Sequence, residues 1–170
     1  EGRTDAIKQI YIGLGSAGEL RYPSYNKDTY PGHGDLWAYS GLAIEAFRDF
    51  VLEKYNGDLS KVARSWGINS INRENIYPPM EGESFFTNGQ HLTQYGKDFF
   101  DFYHQSLIKH MKLLVGAGLE VFRAEGSSLM KVPLSVKVPG VHWTIAAQGN
   151  GKRLAELVAG LVPSSSPYFL

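Results

Sequence analysis

An α/β fold is predicted by three observations on the sequence. Two short runs rich in β-branched residues, Gln9–Leu14 and Leu134–Val138, end abruptly in glycine or proline and read as strands. Two long stretches carry apolar residues at steps of three and four and read as amphipathic helices. Turn-rich segments lie between these elements, and long ordered loops of that kind usually carry function. The 170 residues suit one domain with a sizeable core. They fall short of the roughly 250 that a complete eight-fold βα barrel takes.

Composition narrows the function. Hydrophobic residues make up 43% and charged residues 20%, an ordinary globular balance. Lys plus Arg equals Asp plus Glu at 17 each, which argues against electrostatic nucleic-acid binding. The absence of cysteine excludes disulfides and thiolate metal sites and leaves the compartment undecided. No apolar stretch approaches the ~20 residues of a membrane span, and the first residues do not form a signal peptide. Glu1 in place of Met is expected of a processed or excised piece, so secretion is compatible with the sequence. Aromatics reach 13%, which suits sugar-ring stacking and, more ordinarily, a core.

Residues Glu1 to Lys8 are polar and close a loop or short helix. The first strand then runs into Gly13-Leu14-Gly15-Ser16-Ala17-Gly18-Glu19-Leu20-Arg21-Tyr22-Pro23-Ser24-Tyr25. A carboxylate just past the C-terminal end of a buried strand is where barrel enzymes keep catalytic groups, and Glu19 stands there. Gly13, Gly15 and Gly18 have the spacing of a dinucleotide fingerprint, but Pro23 pushes Tyr22 out of the α region and forbids the helix that motif needs. Read from the residues alone, Glu19 is either such a group or half of a surface ion pair with Arg21 in a tight loop.

Asn26 to Asp35 reads as a long loop, in which His33 between glycines is solvated. A helix is expected over Ala38–Tyr55, with Ala43, Phe47, Phe50, Val51 and Lys54 on one face. Asn56-Gly57 ends it, and Asp58 caps a second helix that runs through Trp66 and stops at Gly67. Trp66 reads as packing. Ile68 to Gln90 reads as another long loop with solvated Glu81 and Glu83. The strongest helix spans Thr93–Ala117, its apolar face running from Phe99 through Leu107 to Val115, and Gly116 and Gly118 end it. His104 and His110 are too far apart along it to share a metal. In the strand Leu134–Val138, Lys137 is either an edge charge or a group aimed at a ligand. Pro139-Gly140-Val141-His142-Trp143 follows, then a glycine-rich turn and a helix around Arg153–Leu161.

Gly-Glu-Leu-Arg-Tyr-Pro-Ser-Tyr at 18–25 resembles the signature of the β-amylases, glycoside hydrolase family 14. Val136-Lys137-Val138-Pro139-Gly140-Val141-His142-Trp143 is similar to the family's Ile-Lys-[Ile/Val]-Ser-Gly-Ile-His-Trp element, with Pro139 where the family has Ser. Ala155-Glu156-Leu157-Val158-Ala159-Gly160 matches its Ala-Glu-Leu-x-Ala-Gly. The segment Lys54-Tyr55-Asn56-Gly57-Asp58-Leu59 with Trp66-Gly67 resembles one found in bacterial members. The resemblance implies part of a (β/α)8 TIM barrel with long strand-to-helix loops, residues 1–170 being a segment of one catalytic domain. It implies hydrolysis of α-1,4-glucosidic bonds in starch-like glucans, releasing maltose from non-reducing ends with inversion. Glu19 becomes the general acid, and Lys137 and His142 bind glucose hydroxyls. Trp143 walls the site, and Arg21 and Tyr22 join the substrate-binding set. An apolar wall from Tyr22 or Trp143 is expected beside Glu19. No cofactor, metal, nucleic acid or membrane is implied.

Inversion also needs a second carboxylate, roughly 6.5–9.5 Å from the first, to activate water. No residue here matches the family's base, since Glu156 belongs to another motif. The family's N-terminal sugar-binding strands have no counterpart either. A non-catalytic carbohydrate-binding or remnant protein is therefore the alternative. A retaining barrel would need a Glu-rich partner strand, which is not found. An open half-barrel leaves two raw strand edges, so weak stability or self-association is expected of it alone.

Overall fold

The computed structural model describes residues 6–23, 36–124, 128–139, 155, 158–162 and 165. Strand β1 is Ile10–Ile12 and strand β2 is Leu134–Val136. They pair in parallel, with Ile10 opposite Leu134, Tyr11 opposite Ser135 and Ile12 opposite Val136. Parallel neighbours require a crossover, and here the described residues between them supply four α-helices. These are α1 (Gly41–Lys54), α2 (Leu59–Trp66), α3 (Gly82–Thr87) and α4 (Gln94–Ala124). No helix among the described residues is long and apolar enough to cross a membrane.

Helix ends follow local capping chemistry. Ser40 accepts the Ala43 N–H at the start of α1. At its end Asn56 (φ 54°) and Gly57 (φ 74°) turn left-handed, and Gly57 N–H reaches back to the Leu52 carbonyl at 2.8 Å. The Asp58 carboxylate then caps α2 through the N–H groups of Ser60 and Lys61, and left-handed Gly67 closes it. The expected limits of both helices hold to within a few residues.

Two expectations fail. The stretch 68–90 is not all loop: Phe85 and Phe86 are buried by the short helix α3. Six residues are too few to show a 3.6-residue period. The preceding 73–77 stretch is pinned to α1 by Arg48, whose Nε donates to the Ile76 carbonyl at 3.1 Å and whose Nη2 donates to that of Glu74 at 2.7 Å. Second, α4 does not end at Gly116 and Gly118 but runs on to Ala124. A Cβ on Gly118 would lie 3.1 Å from Ile12 Cδ1 and 3.2 Å from Leu134 Cδ2. That glycine is a notch where α4 crosses the strands, not a stop signal.

The main core is aromatic. Phe47, Phe85, Phe99, Phe100 and Tyr103 are each at most 2% exposed. Their rings meet at centroid distances such as 5.1 Å for Phe99 and Tyr103 and 5.7 Å for Phe85 and Phe99. The aromatic content therefore goes largely to packing, a dominant core term. Ala155 and Val158 cover this core and are helical, but Ala159, Gly160 and Leu161 lie in a turn and bend, short of the expected helix end at 161. A smaller core of Leu14, Leu20 and Leu107, backed by Ile12, Met111, Leu114 and Val136, joins α4 to the strands.

A buried carboxylate locks the helices together. Asp98 is wholly inaccessible. It accepts from Tyr55 OH, Trp66 Nε1, Gln94 Nε2 and Lys54 Nζ, each at 2.8 Å. Trp66 thus does more than pack: its indole N–H is one of four donors that make this burial tolerable. Lys54, Tyr55 and Trp66 all come from the segment that resembles bacterial family members. Burial alone would lower the Lys54 ammonium, but its bonds to Asp98 and Asp101 outweigh that and hold it above its ordinary value.

Candidate active site

The site forms where β1 runs out. The chain after Ile12 doubles back in a tight loop: Leu14 N–H faces the Gly18 carbonyl at 3.4 Å, and Gly18 N–H bonds that of Gly15 at 3.0 Å. A Cβ on Gly15 would sit 2.6 Å from the Arg21 carbonyl oxygen and 2.8 Å from that of Glu19. Only glycine admits that approach. Ala17 is held at φ 55°, a conformation that L-residues avoid by roughly 1–2 kcal/mol.

The loop delivers Glu19 into extended backbone (φ −88°, ψ 154°). Strand alternation then separates two faces. Leu20 is fully buried on the small core, and Tyr22 stacks on Tyr103 at 3.8 Å with an 8° interplanar angle. Glu19 and Arg21 take the opposite face. The segment is held on both sides, by Leu20 N–H to the Lys137 carbonyl and Tyr22 N–H to the Ala159 carbonyl, each at 2.8 Å.

Glu19 and Lys137 pair across an isolated parallel bridge that prolongs the β1–β2 ladder. Lys137 Nζ stands 3.4 Å from Glu19 Oε1, and Arg21 Nη1 stands 3.9 Å from Oε2. The expected ion pair with Arg21 exists, but not as a surface pair: the side chains are 22% and 12% exposed for Glu19 and Arg21, against 58% for Lys137. Lys137 is thus an exposed charge at the end of β2, aimed at the Glu19 carboxylate.

Tyr22 departs from the expected apolar wall. Its hydroxyl donates to the Tyr103 carbonyl at 3.1 Å, so its ring is a floor beneath the segment. Burial pushes that phenol up to about 12, eased by a hydrogen bond with Ser106. Among the described residues, the charged groups within 4 Å of Glu19 are the two cations. His142 and Trp143 lie outside the described residues, as do His33 and Glu156. Among the described residues, no group of three or more His, Asp or Glu side chains is placed to hold a metal.

Sequence reasoning missed His110. Its Nε2 lies 2.8 Å from the Leu14 carbonyl oxygen, joining α4 to the glycine loop. The only sequence signal was its place on the same helix face as Leu107 and Leu114; His110 itself is exposed, so nothing in the sequence demanded a partner for it.

The family model for glycosyl hydrolase family 14 matches residues 1–165. A β-amylase of Bacillus cereus is 41% identical over 142 residues, which is 82% of this chain and 25% of that protein. A β-amylase of Medicago sativa is 31% identical over 161 residues, 93% of this chain and 29% of that protein. The chain thus spans about a quarter of the length of these curated relatives. Among solved structures, the catalytic domain of a β-amylase from Paenibacillus polymyxa superposes with a TM-score of 0.77 at 35% identity, over 92% of this chain and 37% of that one. The two parallel strands and their crossover helices are accordingly part of a (β/α)8 barrel.

Proposed function

The chain belongs to glycosyl hydrolase family 14, and on that premise we propose that residues 1–170 are a segment of one glycoside hydrolase catalytic domain. The complete domain would cleave α-1,4-glucosidic bonds of starch-like glucans and release maltose from non-reducing ends with inversion. The observation that carries this reading is the meeting of Glu19 and Lys137, far apart in sequence, at 3.4 Å on the C-terminal side of adjacent parallel strands. Barrel enzymes assemble catalytic residues at that end from several strands.

In this reading Glu19 is the general acid and gives its proton to the glycosidic oxygen as the bond breaks. Arg21, the less exposed cation, orients the carboxyl from the protein side. Lys137, the more exposed one, is free to swing onto a glucose hydroxyl, together with His142 and with Trp143 as a wall. Tyr22 supports the segment from below. The second carboxylate, which activates water on the opposite face of the sugar, would come from the remainder of a family-length polypeptide. Carbohydrate binding without turnover is the second reading.

Glu19→Gln in the full native polypeptide tests the assignment. Starch hydrolysis should vanish while maltose binding persists. Retained hydrolysis overturns the role of Glu19, and maltose binding by an unaltered but inactive full polypeptide supports the second reading.

A further inference from the structure

We propose that His110 is a positioning residue for Glu19, acting through the Leu14 carbonyl; this rests on the reading of Glu19 as the general acid. A carbonyl oxygen only accepts, so the 2.8 Å contact requires His110 to carry a proton on Nε2 and to donate it. Leu14 begins the loop and Glu19 ends it. Between them the Ser16–Gly18 turn buries none of its residues and includes Ala17 at φ 55°. A loop that holds a non-glycine residue in the left-handed region is not in its own minimum, so its shape depends on anchors outside it.

The far anchor is the ladder, through Leu20 N–H and the Lys137 carbonyl. The near anchor is His110. It lies one turn from both Leu107 and Leu114, on the face of α4 that packs against Leu14 and Leu20. Helix α4 is itself fixed to the aromatic core through Phe99 and Tyr103 and to the helices through Asp98. His110 therefore passes the rigidity of the helical layer to the loop that aims the acid. A carboxyl displaced by about 1 Å from its proton acceptor forfeits on the order of 100-fold in rate, without a matching loss of binding.

The test compares His110→Gln with His110→Leu in the full native polypeptide, with Glu19→Gln in parallel. The glutamine amide keeps an N–H near the position of Nε2; leucine keeps the helix and the packing but donates nothing. On maltooligosaccharides, His110→Leu should lose roughly 10- to 100-fold in kcat with KM changed less than about twofold. His110→Gln should stay within about threefold of wild type. Amide exchange should rise over residues 13–19 in the leucine variant and stay unchanged across α4. Should that variant fail to fold, His110→Asn, whose amide is too short to reach Leu14, carries the same expectation. A wild-type kcat in the leucine variant, equal losses in the glutamine and leucine variants, or exchange raised throughout the molecule overturns the proposal. Of these outcomes, those found together with an inactive Glu19→Gln leave the acid reading standing. An active Glu19→Gln removes both.

Discussion

Two carboxylates in this molecule show opposite uses of the same chemistry. Asp98, in the helical layer, is fully buried and saturated by four donors at 2.8 Å. Every strong acceptor position is taken, so it can hold structure and do nothing else. Glu19, at the strand ends, is partly exposed and flanked by cations at 3.4 and 3.9 Å, beyond ordinary hydrogen-bond length. Those contacts orient it by charge and leave its oxygens available to a ligand. Burial with full satisfaction makes a staple; partial burial with loose electrostatic restraint is what the proposed acid requires.

Removing each carboxylate in turn sharpens that contrast most. Glu19→Gln should lower turnover of the full polypeptide by roughly 1000-fold or more, since general acid catalysis is worth about 10²–10⁴-fold. It should alter stability by less than about 1 kcal/mol. Asp98→Ala should do the reverse. Stranding the Trp66 and Tyr55 donors and the Lys54 ammonium is expected to destabilise the fold by about 3 kcal/mol. Thermal unfolding reads this loss, and ligand affinity per folded molecule should persist. An Asp98→Ala protein of native stability would break the comparison.

The next effect concerns how α4 meets the strands. Gly118→Ala should cost about 1–2 kcal/mol, because its methyl crowds Ile12 and Leu134. Gly116 has nothing within 4 Å of the same added atom, so Gly116→Ala should stabilise by about 0.5–1 kcal/mol through helix propensity. Chemical denaturation of the two variants measures the difference, and equal effects would show that the notch is not real.

The smallest effect is a pH dependence. His91 and His104 each have a buried Nδ1 with no hydrogen-bond partner among the described residues. Burial holds both imidazoles below the ordinary value of 6.5; a backbone bond to Phe85 for His91 and the charge of Asp101 for His104 only partly offset it. A lowered histidine binds its proton more weakly folded than unfolded. Its contribution is therefore fully present above about pH 6.5 and declines as the pH falls through the folded values. His91→Gln and His104→Gln should flatten denaturation midpoints across that range. An unchanged slope in both would remove the assignment.

Local chemistry was legible in the sequence. Asn56-Gly57 determines where α1 ends, and Asp58 and Gly67 where α2 begins and ends, because a cap is a contact within a few residues; the Ser40 cap of α1 was not read from the sequence. The Glu19 loop and the Lys137 strand were recognisable for a related reason, since each motif is a continuous run of residues that one chain segment must present together. The residues alone left Glu19 between an ion pair and a catalytic group, and Lys137 between an edge charge and a ligand. Only the tertiary structure brought the two side chains together, by placing β1 beside β2. It also decided that Gly118 is a notch inside α4, that Asp98 is a buried staple and that His110 reaches the glycine loop. Each of these depends on an atom contributed by a distant segment. Sequence spacing encodes what a residue can do within its own turn or strand; it does not encode which remote carbonyl, ring or methyl group will arrive beside it.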